Sequence, residues 1–288
     1  MSSENREYVV VTGASTGIGA ASARELARRG FHVLAGVRRD QDADALRAPG
    51  IEPVILDITR PGHVAALAAR VGSRAVALRA LVNNAAVSVN APVEALPLEE
   101  WRRLFEVNLF GHVAVTQALL PALLRHSGRV VNVSSVGGKV AMATFGPYAG
   151  TKFALEAVSD ALRRELAPQG VQVVVVEPGG IRTEMGERGI AATSRLAEAM
   201  SPELRERYGP LVQAVIALTA AGTAGGTSAE DAARVIAKAV TAGKPRTRYT
   251  VGRDAALLTR LSRILPDRLL DRVAVAVLRP HYPKTTPA

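Results

Sequence analysis

Cysteine is absent from the 288-residue chain, which excludes disulfide stapling and thiolate metal sites and is compatible with a reducing compartment. No uninterrupted apolar run reaches the length of a bilayer span. The opening residues, Met1-Ser-Ser-Glu-Asn-Arg-Glu7, are polar and lack the apolar core of a signal peptide. A soluble, cytoplasmic protein without a metal centre is the expectation. Acidic residues become scarce toward the end: from Arg234 onward twelve Lys/Arg face three Asp, which holds +9 of the formal +10. This basic stretch lacks the interleaved aromatics on which bases stack, so nucleic acid is not expected as a partner. Internal repeats and low-complexity blocks are also lacking.

What is present is an alternation of strand and helix signals. Tyr8 to Val11 is a β-branched run, and Ile18 to Arg29 follows with helical spacing behind a glycine-bearing turn. The pattern continues with strand 33–37, helix 42–47, strand 54–56, helix 61–71 and strand 81–82. A long helix 98–125, strand 130–133, helix 148–166 and strand 171–176 complete it. The strands are apolar on both faces, which implies burial between helical layers. The fold class is α/β: a single doubly wound (Rossmann) parallel sheet with helices on both faces, in one domain spanning 1–288. After Pro178 the alternation lapses, and 183–226 reads as a mobile substrate lid. Ser228-Ala-Glu-Asp231 opens another helix in the manner of a capping box. Arg248 to Val251 forms a candidate edge strand. A basic amphipathic extension over about 252–280 places Leu257, Leu258, Leu261, Ile264 and Leu265 opposite Arg260 and Arg263, with Leu269, Val273 and Val277 beyond Pro266. Residues 281–288 read as a loose tail.

Thr12-Gly-Ala-Ser-Thr-Gly-Ile-Gly19 stands between the first strand and the first helix. Glycine is required where the backbone turns with positive φ and where a pyrophosphate must approach N–H groups at a helix start. The second strand ends Ala35-Gly-Val-Arg-Arg39 with no acid before Asp40. A carboxylate there would bind a ribose 2′-hydroxyl and repel a 2′-phosphate, whereas Arg38 and Arg39 suit the phosphate. NADP(H) is favoured, with NAD(H) the alternative. Asp57 closes the third strand and is placed to accept from an adenine amino group, and Asn83-Asn-Ala-Ala86 closes the fourth.

Tyr148-Ala-Gly-Thr-Lys152 puts a phenol and an ammonium on one helical face, about one turn apart. A neighbouring ammonium favours phenolate, which suits Tyr148 to general acid/base work. Ser135, just after an apolar strand, offers a hydroxyl to a substrate oxygen.

These motifs resemble the short-chain dehydrogenase/reductase family: Thr12-Gly13-x-x-x-Gly17-x-Gly19, Asp57, Asn83-Asn84-Ala85, Asn108 in Val-Asn-Leu-Phe-Gly, Ser135, Tyr148-x-x-x-Lys152 and Pro178-Gly-Gly-Ile-Arg-Thr183. The resemblance implies a catalytic set of Asn108, Ser135, Tyr148 and Lys152. In it Tyr148 gives or takes the proton, Lys152 binds the nicotinamide ribose and lowers the phenol pKa, Ser135 polarises the carbonyl and Asn108 supports a water relay. Ser134 is then a cofactor-side neighbour. The implied cofactor contacts are Thr12, Gly13, Ser15, Thr16, Gly17, Ile18, Gly19, Arg38, Arg39, Asp57, Ile58, Asn84, Ala85, Ala86, Tyr148, Lys152, Pro178, Gly179, Ile181 and Thr183. Ile181 and Thr183 are assigned to the nicotinamide carboxamide, with a helix N-cap as the other reading of Thr183. Two positions depart from the pattern: Ala86 stands where the family often has glycine, and Thr16 where many NADP(H) users carry a basic residue.

The implied activity is hydride transfer between nicotinamide and the carbonyl or alcohol carbon of a small apolar substrate. Met142, Phe145 and Met185 are candidate pocket residues, with core packing as their other reading. The later part of the chain looks similar to members acting on steroids, retinoids and other lipophilic substrates. A regulatory or scaffold protein that binds NADP(H) without turnover is the alternative function. The basic extension packs on its own domain or a partner subunit, supports the lid, or anchors to a membrane surface. The resemblance also implies a homodimer or homotetramer through the helices at 98–125 and 148–166.

Overall fold

The computed structural model describes residues 7–73 and 76–283. Among these, strands β1 (Tyr8–Val11), β2 (His32–Val37), β3 (Ile51–Ile55), β4 (Leu78–Asn83), β5 (Arg129–Val133), β6 (Gln172–Pro178) and β7 (Arg248–Val251) make one parallel sheet in the order β3-β2-β1-β4-β5-β6-β7. Val10 lies opposite Leu34 on one side and Leu81 on the other. Successive side chains of a strand point to opposite faces, and both faces are covered. Val9 and Val11 pack with Ala23 and Leu26 of α1 (Gly17–Arg28) and with Ile236 and Val240 of α9 (Ala229–Thr241). Val10 enters the other layer with Leu67 of α3 (Pro61–Gly72), Leu119 and Leu123 of α5 (Gly111–Arg125) and Leu166 of α6 (Gly146–Leu166). The short α2 (Asp40–Leu46) joins β2 to β3. Chain order reverses between β1 and β4, so their carboxyl ends open a crevice.

The doubly wound sheet is as expected, including β7 at the edge, which pairs in parallel with β6 through Val175 and Arg248. The helix expected over 98–125 is interrupted. α4 (Leu98–Phe105) passes through a π-helical turn, Glu106–Phe110, into α5. Such turns insert a residue into the helical ladder and re-aim what they carry, and this one carries Asn108. The run Leu98–Arg125 has the length and mean hydropathy of a membrane span, although Asn108, His112 and Gln117 interrupt its apolar residues. Half of it is buried within the domain, as suits a core helix.

The segment expected as a lid consists of two helices, α7 (Glu184–Glu198) and α8 (Pro202–Ala224), packed so closely that a Cβ at Gly186 would stand 2.6 Å from Thr223 Oγ1. Ser228 caps α9 as expected, accepting from the Asp231 N–H at 3.0 Å and donating to its carboxylate at 2.7 Å. The extension forms α10 (Arg253–Ile264) and α11 (Asp267–Leu278), separated at Pro266. α10 packs on its own domain through Ala255 and Thr259, with Leu258, Leu261 and Leu265 of the expected stripe partly buried. Leu257 and Ile264 of the expected apolar stripe lie outside. At the helix start Asp254 accepts from the Gly180 N–H at 3.2 Å. Leu278 anchors α11 against Ala214 and Val215 of α8. Most of the expected loose tail, 284–288, and residues 1–6 lie outside the described residues, and Arg279–His281 forms a 3-10 turn.

Candidate active site

The first half of the site grows from the ends of β1 and β4. Gly13 turns the chain with φ +64°, where L side chains are strained, and a Cβ on it would sit 2.6 Å from Ala85 Cα. The turn is braced from behind. Thr12, fully buried, accepts from the N–H groups of Asn84 and Ala85 at 2.9 and 3.1 Å, while Asn84 Nδ2 donates to the carbonyls of Thr12 and Gly13 at 3.0 and 3.1 Å. Thr12 thus supports the cleft without lining it. At Gly19 a Cβ would overlap Gly13 O and stand 2.6 Å from Asn84 Nδ2. Gly19→Ala is therefore expected to lose about 1–3 kcal/mol of stability, the usual cost of overpacking, and to weaken dinucleotide binding. Chemical denaturation with a parallel binding titration checks both, and wild-type values for the variant would remove the turn from the site.

Thr16 precedes α1 without a side-chain cap bond, and the first helical turn holds no acid. Its leading N–H groups are therefore open to an anion. Asp57 accepts from the Thr59 N–H and hydroxyl at 3.0 and 2.7 Å. Burial pushes its carboxyl up, but Thr59, Arg38 and Arg60 outweigh this and hold it below the ordinary carboxylate range. Arg38 lines the cleft. Arg39 does not: its guanidinium pairs with Asp42 at 2.8 Å through two parallel bonds, at the start of α2.

The second half is carried by the end of β5 and the start of α6. Ser135 Oγ accepts from Gly137 N–H at 3.0 Å and lies 3.5 Å from the Pro178 carbonyl. A Cβ at Gly137 would stand 3.4 Å from both Ser135 Oγ and the Tyr148 ring, so hydroxyl and phenol flank the same point of the chain. Lys152 is buried, donates to Val133 O at 2.9 Å and stands 5.8 Å from the Tyr148 ring centre. Burial pushes the phenol up to about 12, with Ser135 pulling it down, and pushes the Lys152 ammonium down to about 8, with Glu156 one turn on pulling it up. The phenol is thus not lowered in this structure, since desolvation disfavours its charged form more strongly than its neighbours favour it. Asn108 lies behind the wall. Its amide donates to Val87 O at 2.9 Å and Thr151 Oγ1 at 3.1 Å and accepts from Val87 N–H at 2.9 Å, tying the segment after β4 to α6.

One cleft of about 580 Å³ joins the two halves. Ser15, Thr16, Gly17, Ile18, Ile58, Ala86, Pro178, Gly179, Ile181 and Thr183 line it with the residues above. Thr183 occupies the N-cap position of α7 but makes no side-chain cap bond, which leaves its hydroxyl to the cleft. Met142, Phe145 and Met185 line it too, joined by Leu218, Leu258, Asp254 and Arg188, which the sequence reading missed. No local pattern signals these four. α7, α8 and α10 bring them in from far along the chain. Also missed is a buried ionic cluster behind α6. There Arg248 reaches Glu156, Asp160 and Glu177 at 3.0, 3.0 and 3.3 Å, and Lys139 reaches Glu156 at 2.6 Å. One of the tail's counted positive charges therefore faces inward.

A positive-φ turn at a helix start, an aspartate just beyond β3 and a Ser-Tyr-Lys group in one crevice define a dinucleotide-binding oxidoreductase. A model described as short chain dehydrogenase matches residues 7–193, and the chain belongs to that family. It is 37% identical over 282 residues to retinol dehydrogenase 7 of Mus musculus, covering 92% of this chain and 86% of that protein. It is 36% identical over 274 residues to the uncharacterized oxidoreductase YbbO of Escherichia coli K12, covering 93% and 94%. Among solved structures, a short-chain dehydrogenase from Streptomyces avermitilis superposes with TM-score 0.74 at 30% identity over 96% of both chains. A short chain dehydrogenase from Burkholderia cenocepacia J2315 in complex with NADP gives 0.71 at 27% identity over 100% of both.

Proposed function

We propose that this protein is an NADP(H)-dependent oxidoreductase that moves a hydride between nicotinamide and the carbonyl or alcohol carbon of a small apolar substrate. The single observation that carries the reading is the continuity of the cleft. It runs from the glycine turn and Arg38, past Ser135, Tyr148 and Lys152, to walls formed by Val140, Met142, Phe145, Met185, Leu218 and Leu258. The relatives named retinol dehydrogenase agree with an apolar alcohol or its carbonyl as substrate, and the NADP complex of a structural neighbour agrees with the cofactor.

The residues present fit the dinucleotide, because the glycine turn packs closely against Ala85 and Asn84 with no side chain between it and the cleft, and the start of α1 is uncapped. When bound, the nicotinamide supplies the hydride donor or acceptor. Ser135 holds the substrate oxygen by a hydrogen bond. Tyr148, protonated at neutral pH, gives its proton to that oxygen in reduction and recovers it in oxidation. Lys152 supplies the nearby positive charge and is fixed by Val133 O. The apolar walls exclude water from the reacting carbon. A second copy of the chain is read as covering Phe110, Phe153 and Val158, exposed on the helical run 98–125 and on α6.

Fluorescence titration with NADPH and NADH tests the cofactor. Wild type is expected to favour NADPH by about tenfold or more, the scale of a charge-assisted phosphate contact, and Arg38→Ala to lose that preference. Equal binding of NADH by wild type would make Arg38 a surface charge and NAD(H) the cofactor.

A further inference from the structure

The NADP(H) reading leaves one gap, which the fold itself fills. Residue 16, often basic in NADP(H) users of this family, is the neutral Thr16. Yet a guanidinium stands at that place: Arg188 of α7, 172 positions along the chain, donates through Nη2 to Thr16 Oγ1 at 2.9 Å. The same nitrogen pairs with Glu184 at 2.9 Å, and Nε lies 3.3 Å from the Glu184 carbonyl. Nη1 has no hydrogen-bond partner among the described residues. The side chain is 57% exposed and lines the cleft, as does Arg38, which makes no ion pair among the described residues.

We infer that Arg188, carried on the helix over the cleft, is a ligand of the cofactor's 2′-phosphate and shares that dianion with Arg38. This deepens the NADP(H) reading and rests on it. The location favours the 2′-phosphate over the pyrophosphate. The glycine turn abuts β2 through the Ala14 N–H to Gly36 O bond at 2.8 Å, which sets Thr16 beside the strand end that presents Arg38. Asp42, in the first turn of α2, is held below the ordinary range mainly by its bonds to Arg39 against the pull of burial, and it also feels Arg38 and Arg188. Both cations therefore act on the start of α2, where the ribose end of the cofactor belongs. Glu184, Asp42 and Asp57 are the acids that feel this pair, and Asp57 is held by Thr59. Asp42 is already committed to Arg39, and Glu184 is half-exposed, so a dianion can displace it at small cost. A phosphate gripped between strand and lid helix also gives α7 a reason to sit down on the bound cofactor.

The test is calorimetric binding of adenosine 2′,5′-bisphosphate and of 5′-AMP to wild type, Arg38→Ala and Arg188→Gln. Glutamine keeps a donor for Thr16 and removes the charge. The expected result is about a tenfold or greater loss of bisphosphate affinity in Arg188→Gln with 5′-AMP unchanged, the size of a charge-assisted phosphate contact. Equal weakening of both ligands would place Arg188 at the 5′-phosphate and overturn the assignment. A wild-type preference for bisphosphate that Arg38→Ala abolishes and Arg188→Gln leaves intact would overturn the shared grip alone. No wild-type preference at all would overturn the NADP(H) reading and this inference with it.

Discussion

Tyr148→Phe is expected to lose turnover of an apolar carbonyl by about 100- to 10,000-fold, the usual range for a positioned acid/base group, with NADPH affinity nearly unchanged. The ring sits between Gly137 and Lys152, so phenylalanine retains the packing and removes only the hydroxyl. Single-turnover kinetics with a binding titration separate the two effects. Retained turnover would remove Tyr148 from proton transfer. Loss of both turnover and NADPH binding would mean that the hydroxyl holds the site together. Should wild type reduce no apolar carbonyl, the protein would instead be a dinucleotide-binding regulator. The pH profile follows from the same geometry. With the phenol at about 12 and Lys152 at about 8, the proton on Tyr148 survives well past neutrality, while the ammonium is lost first. Reduction should therefore fall as pH rises through about 8, as a lysine step rather than a tyrosine step.

Stability should fall steeply in mild acid because of His112. This residue is buried on α5 and hydrogen-bonded at 2.6 Å to Ala85 O, the carbonyl that follows the Asn84 brace. Burial, and then the field of Lys152, push its pKa down to about 3 against the pull of Ala85. Between that value and 6.5 the unfolded chain binds a proton that the folded chain refuses. Stability therefore rises with pH across this window and is fully present above it, and the shift corresponds to roughly 3–5 kcal/mol. That is a large share of the roughly 5–15 kcal/mol typical of a domain, from about a fifth upward. Glu177 works in the opposite sense. Burial, and then Glu156, raise its pKa, so the folded chain holds that proton more tightly and gains stability in acid. Urea midpoints from pH 7 to pH 4 should drop for wild type and drop much less for His112→Gln, which keeps a donor for Ala85 without titrating. Parallel loss in both proteins would assign the acid sensitivity elsewhere.

Much of the site was legible because its chemistry is local. The turn from Thr12 to Gly19 answers to backbone geometry over eight residues, and Tyr148 and Lys152 meet because four residues make about one helical turn. The doubly wound sheet was legible because strands buried on both faces must be apolar throughout, as Val9, Val10 and Val11 are. Asn108 was legible as a residue but not as a place, since the π-helical turn that aims it has no marker in the spacing of apolar residues. Arg39 is adjacent to Arg38 in sequence and faces away from the cleft, because Asp42 three positions on captures it at the start of a helix.

By itself, then, the sequence determined the order of strands and helices, the glycine turn and the pairing of Tyr148 with Lys152, all of which depend on contacts within one or two turns of chain. Only the tertiary structure decided which face of α10 is buried, that Arg248 turns inward to Glu156 and Glu177, and that Arg188 returns to Thr16. Those outcomes join segments from 71 (Glu177 to Arg248) to 172 residues apart. Periodicity states which side of a helix is apolar, but the partner that a long charged side chain meets depends on how whole helices pack.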